Sequence, residues 1–150
     1  MPSATNDARS EDGSIAMDQL GEHIDSATFE QILEMDDDEE EREFSKSIVY
    51  DFFQQAESTF QKMDMNLEKK DLDQLSALGH FLKGSSATLG LTKVKDSCEK
   101  IQHFGAKKDE SGANEIADDV ALDKLRHTIA QAKDEFRDAE RALRRFYHDE

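Results

Sequence analysis

Residues 122–146 read LDKLRHTIAQAKDEFRDAERALRRF. Within them Leu122, Leu125, Ile129, Ala132, Phe136, Ala139, Leu143 and Phe146 recur at alternating three- and four-residue steps, the spacing of a helix with one apolar stripe set into a bundle seam. A helix of about 30 residues at 1.5 Å per residue is roughly 45 Å long. Stripes of the same period lie upstream. Val49, Phe53, Ala56, Phe60, Met63 and Leu67 mark a helix over about residues 42–68. Leu75, Leu78, Leu82, Ser85 and Leu89 mark a third, which Gly90 is placed to end in a left-handed conformation. Val94, Cys98, Ile101 and Gly105, with Phe104 beside them, mark a fourth, with Thr92 as its cap and Gly105 as its stop signal.

Residues 106–116 are polar and contain glycine, the composition of a loop. Ahead of the four stripes, Phe29, Ile32, Leu33 and Met35 give a short helix capped by Asp25 or Ser26 and ended by the acidic run 36–43. That run reads first as a solvated linker, and secondarily as a charge that orients a basic rim on a partner. The only proline is Pro2, and no segment has strand periodicity. These features predict an all-α fold: an antiparallel four-helix bundle over residues 25–150, with a short extra N-terminal helix across one end. Residues 1–24 are polar and aperiodic, and are expected to be a disordered tail.

Composition narrows the function. With 150 residues and 17.0 kDa there is room for one compact domain and a tail. Thirty-five acidic against 19 basic side chains leave a formal charge of −16, which repels phosphate backbones, so nucleic acid is not an expected partner. Cys98 is the sole cysteine and has no internal disulfide partner. No run approaches the roughly 18 apolar residues of a membrane span, and no basic leader opens the chain. A cytoplasmic or nucleocytoplasmic protein is expected.

Most chemistries lack their residues. Gly84-Ser85-Ser86-Ala87-Thr88-Leu89-Gly90 superficially resembles a phosphate-binding loop, but it sits inside a helical period and lacks the following Lys-Ser/Thr. A Glu-x-x-His metal motif is absent, because Leu20, Ala77, Lys100, Lys124 and Arg145 stand three residues before the five histidines. Gly-x-Ser-x-Gly is absent too. His80 is different. At 100° per residue the stripe through Leu78 and Leu82 lies about 160° from it on either side, so His80 faces outward. Ser76, Ala87, Lys83 and Gly84 all fall within about 60° of it. Small side chains and one cation around an imidazole make a docking pad, or else an ordinary solvated face; Gly84 favours the pad, since glycine inside a helix costs about 1 kcal/mol relative to alanine.

Leu78-Gly79-His80-Phe81-Leu82-Lys83-Gly84-Ser85-Ser86-Ala87-Thr88-Leu89-Gly90-Leu91 resembles the signature of histidine-containing phosphotransfer (HPt) proteins. Met35-Asp36-Asp37-Asp38, Glu43-Phe44-Ser45-Lys46 and Cys98-Glu99-Lys100-Ile101-Gln102 are similar to the fungal, yeast-type branch of that family. The resemblance covers about residues 26–105 and the final helix, while the connection after Gly105 is shorter than in the budding-yeast member. It implies a monomeric phosphocarrier without ATP-dependent kinase activity. His80 would accept a phosphoryl group from the receiver-domain aspartate of a hybrid sensor histidine kinase and pass it to a response regulator, in stress signalling in cytoplasm and nucleus. It implies no metal or cofactor of the chain's own, Mg²⁺ coming with the partner receiver. By the same resemblance Lys83, Gly84 and Gln102 serve the transfer, with Gln102 or Glu99 placed to hydrogen-bond the imidazole. Ile32, Met35, Phe44, Ile48, Phe81, Gly84 and Ala87 map onto a receiver-docking surface. Two rivals remain: a non-catalytic helical adaptor that binds receivers, and the dimerisation domain of a histidine kinase.

Overall fold

The computed structural model describes residues 24–37 and 42–148. The tail 1–23 and residues 38–41 of the acidic run lie outside the described residues. Among the described residues five helices follow one another: α1 (Ser26–Leu33), α2 (Glu43–Lys69), α3 (Leu72–Leu89), α4 (Thr92–Gly105) and α5 (Asp118–Phe146). The last four form the antiparallel bundle and α1 is the short extra helix. Antiparallel neighbours need only tight links, and two of them are two residues long. Between α2 and α3, Lys70 turns in the left-handed region (φ 58°) and Asp71 caps α3 by accepting from the Gln74 amide at 3.2 Å. Between α3 and α4, Gly90 has φ 80°, and the Leu91 amide donates to the Ser86 carbonyl at 2.9 Å. Gly90 is required twice over. Its φ lies in the left-handed region, and a Cβ built there would stand 2.8 Å from the carbonyl oxygen of Asp25, whose amide donates to the Gly90 carbonyl at 2.7 Å.

The core runs the length of the bundle. Val49, Ala56, Met63, Leu75, Leu82, Leu91, Cys98, Ile101, Leu125, Ala132 and Leu143 are wholly buried. Phe136 of α5 meets Phe52, Phe53 and Phe60 of α2 at ring-centroid distances of 5.9, 6.0 and 5.8 Å. Cys98 is a core thiol, which burial chiefly, with Glu135 nearby, pushes up to about 12. At the end of the bundle Phe29 of α1 packs edge-on to Phe146 at 5.5 Å and to Tyr147 at 6.5 Å, seating α1 on the C-terminus of α5. Ile24, placed in the tail by its sequence context, is 4% exposed and belongs to this core.

Some expected details change. Thr92 does not cap α4: the cap position is Leu91, without a side-chain hydrogen bond, and Thr92 is the first helical residue. Gly105 is no left-handed stop either. It ends α4 against α3, where a Cβ would meet the Ser76 amide nitrogen at 2.5 Å and the Leu72 carbonyl oxygen at 2.8 Å. On α3 the inward row passes through Gly79 and Ser86, while Ser85 is half-buried and donates to the Gln55 side chain of α2 at 3.0 Å.

Candidate functional site

α3 carries His80 at the middle of its outer face, exposed to solvent as the helical period requires. No hydrogen bond reaches the imidazole from the described residues. What fixes the histidine is the backbone beneath it. Gly79, its predecessor, lies so close to α4 that a Cβ would stand 2.8 Å from the Gln102 amide nitrogen and 2.9 Å from the Cys98 carbonyl oxygen. Ser76 adds a hydroxyl donated to the Gln102 carbonyl at 2.8 Å. Small residues therefore press α3 against α4 directly behind the site, with little slack for His80 to shift.

Lys83 stands one turn along α3, about 60° round from His80 towards α4. Its ammonium lies 3.3 Å from Glu99 Oε1 of α4, with both side chains partly exposed (31% and 46%). Glu99 thus holds the cation rather than the imidazole. Gln102 does not orient the ring either: its Oε1 is buried and bonded to none of the described groups. On the other side of His80, about 40° round, Gly84 faces open space, with nothing within 4 Å of a built Cβ. Intramolecular packing therefore gives no reason for a glycine there. We expect Gly84→Ala to raise stability by about 1 kcal/mol, the helix-propensity difference alone, read as a higher denaturant midpoint at constant m-value.

From Gly84 the surface continues through Thr88, Phe81 and Ser85 towards α2. There Ile48, Asp51, Phe52 and Gln55 join Ser85, Thr88 and Leu89 around an open groove of about 290 Å³. Phe44 and Ile48 are four residues apart and share one face of α2. The exposed apolar side chains of this region are Phe81 (47%), Phe44 (48%) and Met35 (61%), with Ala87 also exposed and Ile48 half-buried. Ile32 departs from the docking set: it is 7% exposed and packs into the core, because α1 turns that face onto the bundle.

Part of the acidic run has a structural task. Arg42, at the N-cap of α2, is left-handed (φ 51°) and provides no side-chain cap. Asp36 does so instead, its Oδ1 accepting from the Ser45 amide at 2.7 Å and its Oδ2 from the Ser45 hydroxyl at 2.6 Å. The Tyr147 hydroxyl donates to Ser45 Oγ at 2.8 Å, and burial chiefly pushes that phenol up to about 12. Gly79, Ser45 and Tyr147 received no role from sequence. Gly79 had a signal, a second helical glycine beside the histidine.

An exposed histidine on a four-helix bundle, with a lysine one turn away and a small-residue pad, defines a histidine-phosphotransfer type of domain. Residues 47–141 match the Hpt domain model, and the chain belongs to that family. It is 48% identical over 125 residues to the Multistep phosphorelay regulator 1 of Schizosaccharomyces pombe, covering 83% of this chain and 42% of that protein. It is 52% identical over 84 residues to the Phosphorelay intermediate protein YPD1 of Candida albicans, covering 56% and 45%. The chain thus spans less than half the length of these curated relatives. Among solved structures, it superposes with a TM-score of 0.74 and 34% identity on Saccharomyces cerevisiae Ypd1, covering 85% of this chain and 95% of that one. In that co-crystal structure Ypd1 is bound to the receiver domain of its downstream response regulator Ssk1.

Proposed function

We propose that this chain is a monomeric phosphocarrier of a multistep phosphorelay, accepting a phosphoryl group on His80 from a hybrid sensor kinase's receiver aspartate and passing it to a response regulator, in stress signalling in cytoplasm and nucleus. The observation that carries the reading is an unobstructed imidazole on a rigid helical platform, with nothing within 4 Å of a Cβ at Gly84. The Nε2 lone pair of His80 attacks phosphorus. An N–P bond forms as the O–P bond to the receiver aspartate breaks, the carboxylate leaves with the electron pair, and Nδ1 keeps its proton. Reversal onto a second receiver's aspartate completes the relay. Mg²⁺ comes with the receiver, and the chain brings no cofactor of its own.

Phosphoryl transfer asks a protein mainly for position and charge neutralisation. Lys83 supplies the charge. Its ion pair with Glu99 is partly exposed, and such pairs contribute about 1 kcal/mol or less, so the ammonium is readily drawn to a phosphoryl group. The test is transfer of label from a phosphorylated receiver. Acid-labile, base-stable label on the wild-type chain, with shorter-lived or slower-forming label on Lys83→Ala, is expected. Receiver binding without label would favour a non-catalytic adaptor.

A further inference from the structure

We infer that Asp36, Ser45 and Tyr147 form a positioning chain that holds the apolar rim of the receiver-docking surface, a role outside the transfer chemistry. This inference rests on the phosphocarrier reading. Its geometry is independent of His80. Met35 and Phe44 are among the most exposed large apolar side chains described, and each directly precedes a member of the chain in sequence. The two Asp36–Ser45 hydrogen bonds, at 2.7 and 2.6 Å, tie the segment after α1 to the first turn of α2. They thereby set Met35 and Phe44 relative to one another. The Tyr147 hydroxyl, 2.8 Å from Ser45 Oγ, anchors that junction to the C-terminal end of α5. Tyr147 itself is fixed by rings on three sides, with Phe146 at 5.0 Å, Tyr50 at 6.3 Å and Phe29 at 6.5 Å.

The rim is within reach of the same partner that meets His80. Gln55 bonds Ser85 across α2 and α3. Counting helical rise outward from that pair places Phe44 about 24 Å from the level of His80. A standard interface of about 800 Å² per partner is roughly 30 Å across, and the groove lined by Ile48, Gln55 and Ser85 lies between the two levels. A partner gains more from apolar side chains already held in place, because a free one must lose its rotamer freedom on binding. Releasing Met35 and Phe44 together would therefore weaken docking by about tenfold.

The probe is the receiver domain of Saccharomyces cerevisiae Ssk1, titrated against wild type, Asp36→Ala, Asp36→Asn and Tyr147→Phe well below the unfolding midpoint of each. Asp36→Ala should raise the dissociation constant about tenfold. Asp36→Asn keeps one acceptor and should lie between it and wild type, while Tyr147→Phe keeps the ring packing and loses only the anchor. In transfer assays KM should rise with kcat unchanged, and labelling of His80 by the small donor phosphoramidate should match wild type. Equal receiver affinity for wild type and all three variants, or phosphoramidate labelling lost in step with receiver binding, would overturn the positioning role. Failure of the wild type both to bind the receiver and to take label would overturn the phosphocarrier reading, and the inference with it.

Discussion

His80→Gln should accept no phosphate from a phospho-receiver, while its far-UV helicity and unfolding midpoint stay within error of wild type. The amide of glutamine has no lone pair free to attack phosphorus, so the N–P bond cannot form. Stability should hold because the imidazole is exposed and receives no hydrogen bond from the described residues; such surface changes are worth about ±0.5 kcal/mol. Filter-bound label that survives base and is lost in acid separates phosphohistidine from phosphoserine. Label of wild-type intensity on His80→Gln would remove His80 from the mechanism altogether, and none of His23, His103, His127 or His148 has comparable surroundings in sequence.

Gly105→Ala should have the opposite profile, with stability lost and the intrinsic reactivity of His80 kept. The added Cβ would meet three α3 atoms that cannot rotate away: the Ser76 nitrogen at 2.5 Å, the Leu72 carbonyl oxygen at 2.8 Å and the Ser76 Cα at 2.8 Å. Separating two packed helices to admit a methyl costs up to about 3 kcal/mol. Alanine's better helix propensity offsets about 1 kcal/mol of this, leaving a net loss of about 2 kcal/mol. For a domain of this size the melting temperature should fall by about 6–8 °C. The same substitution at Gly84 is expected to raise it, so the sign separates a glycine pressed between helices from one facing a partner. A Gly105→Ala protein as stable as wild type would mean that the α3–α4 seam has room to spare.

The order and approximate limits of the helices were legible because each writes an apolar row every three or four residues, and α5 does so over its whole length. His80 was legible for the same reason, since a polar residue about 160° from its own stripe faces outward. Features that depend on where distant segments meet were not legible. Ile32 carried the same apolar signal whether it faced the core or a partner, and only the seating of Phe29 on Phe146 and Tyr147 decides for the core. The cap of α2 comes from Asp36, nine residues before Ser45, so an expectation drawn from the residue preceding the helix misses it. Gly105 shows the same limit. In sequence a glycine ending an apolar row reads as a turn signal, whereas here its want of a side chain lets two backbones touch.

On the phosphocarrier reading proposed above, the α3–α4 seam at Gly79 and Gly105 also bears on how one carrier would serve more than one receiver. Because α3 and α4 meet closely at Gly79, beside the histidine, and again at Gly105, the backbones that carry His80, Lys83, Glu99 and Gln102 hold one fixed relation, and only the exposed ends of the Lys83 and Glu99 side chains are left to adjust. Every visiting receiver then encounters the same centre, whatever its identity. Discrimination among visitors is left to the periphery, where Met35, Phe44 and Ile48 are exposed or half-exposed and substitution leaves that relation undisturbed. On that reading, a change at the edge of the surface would alter which receivers dock and leave the histidine platform as it is.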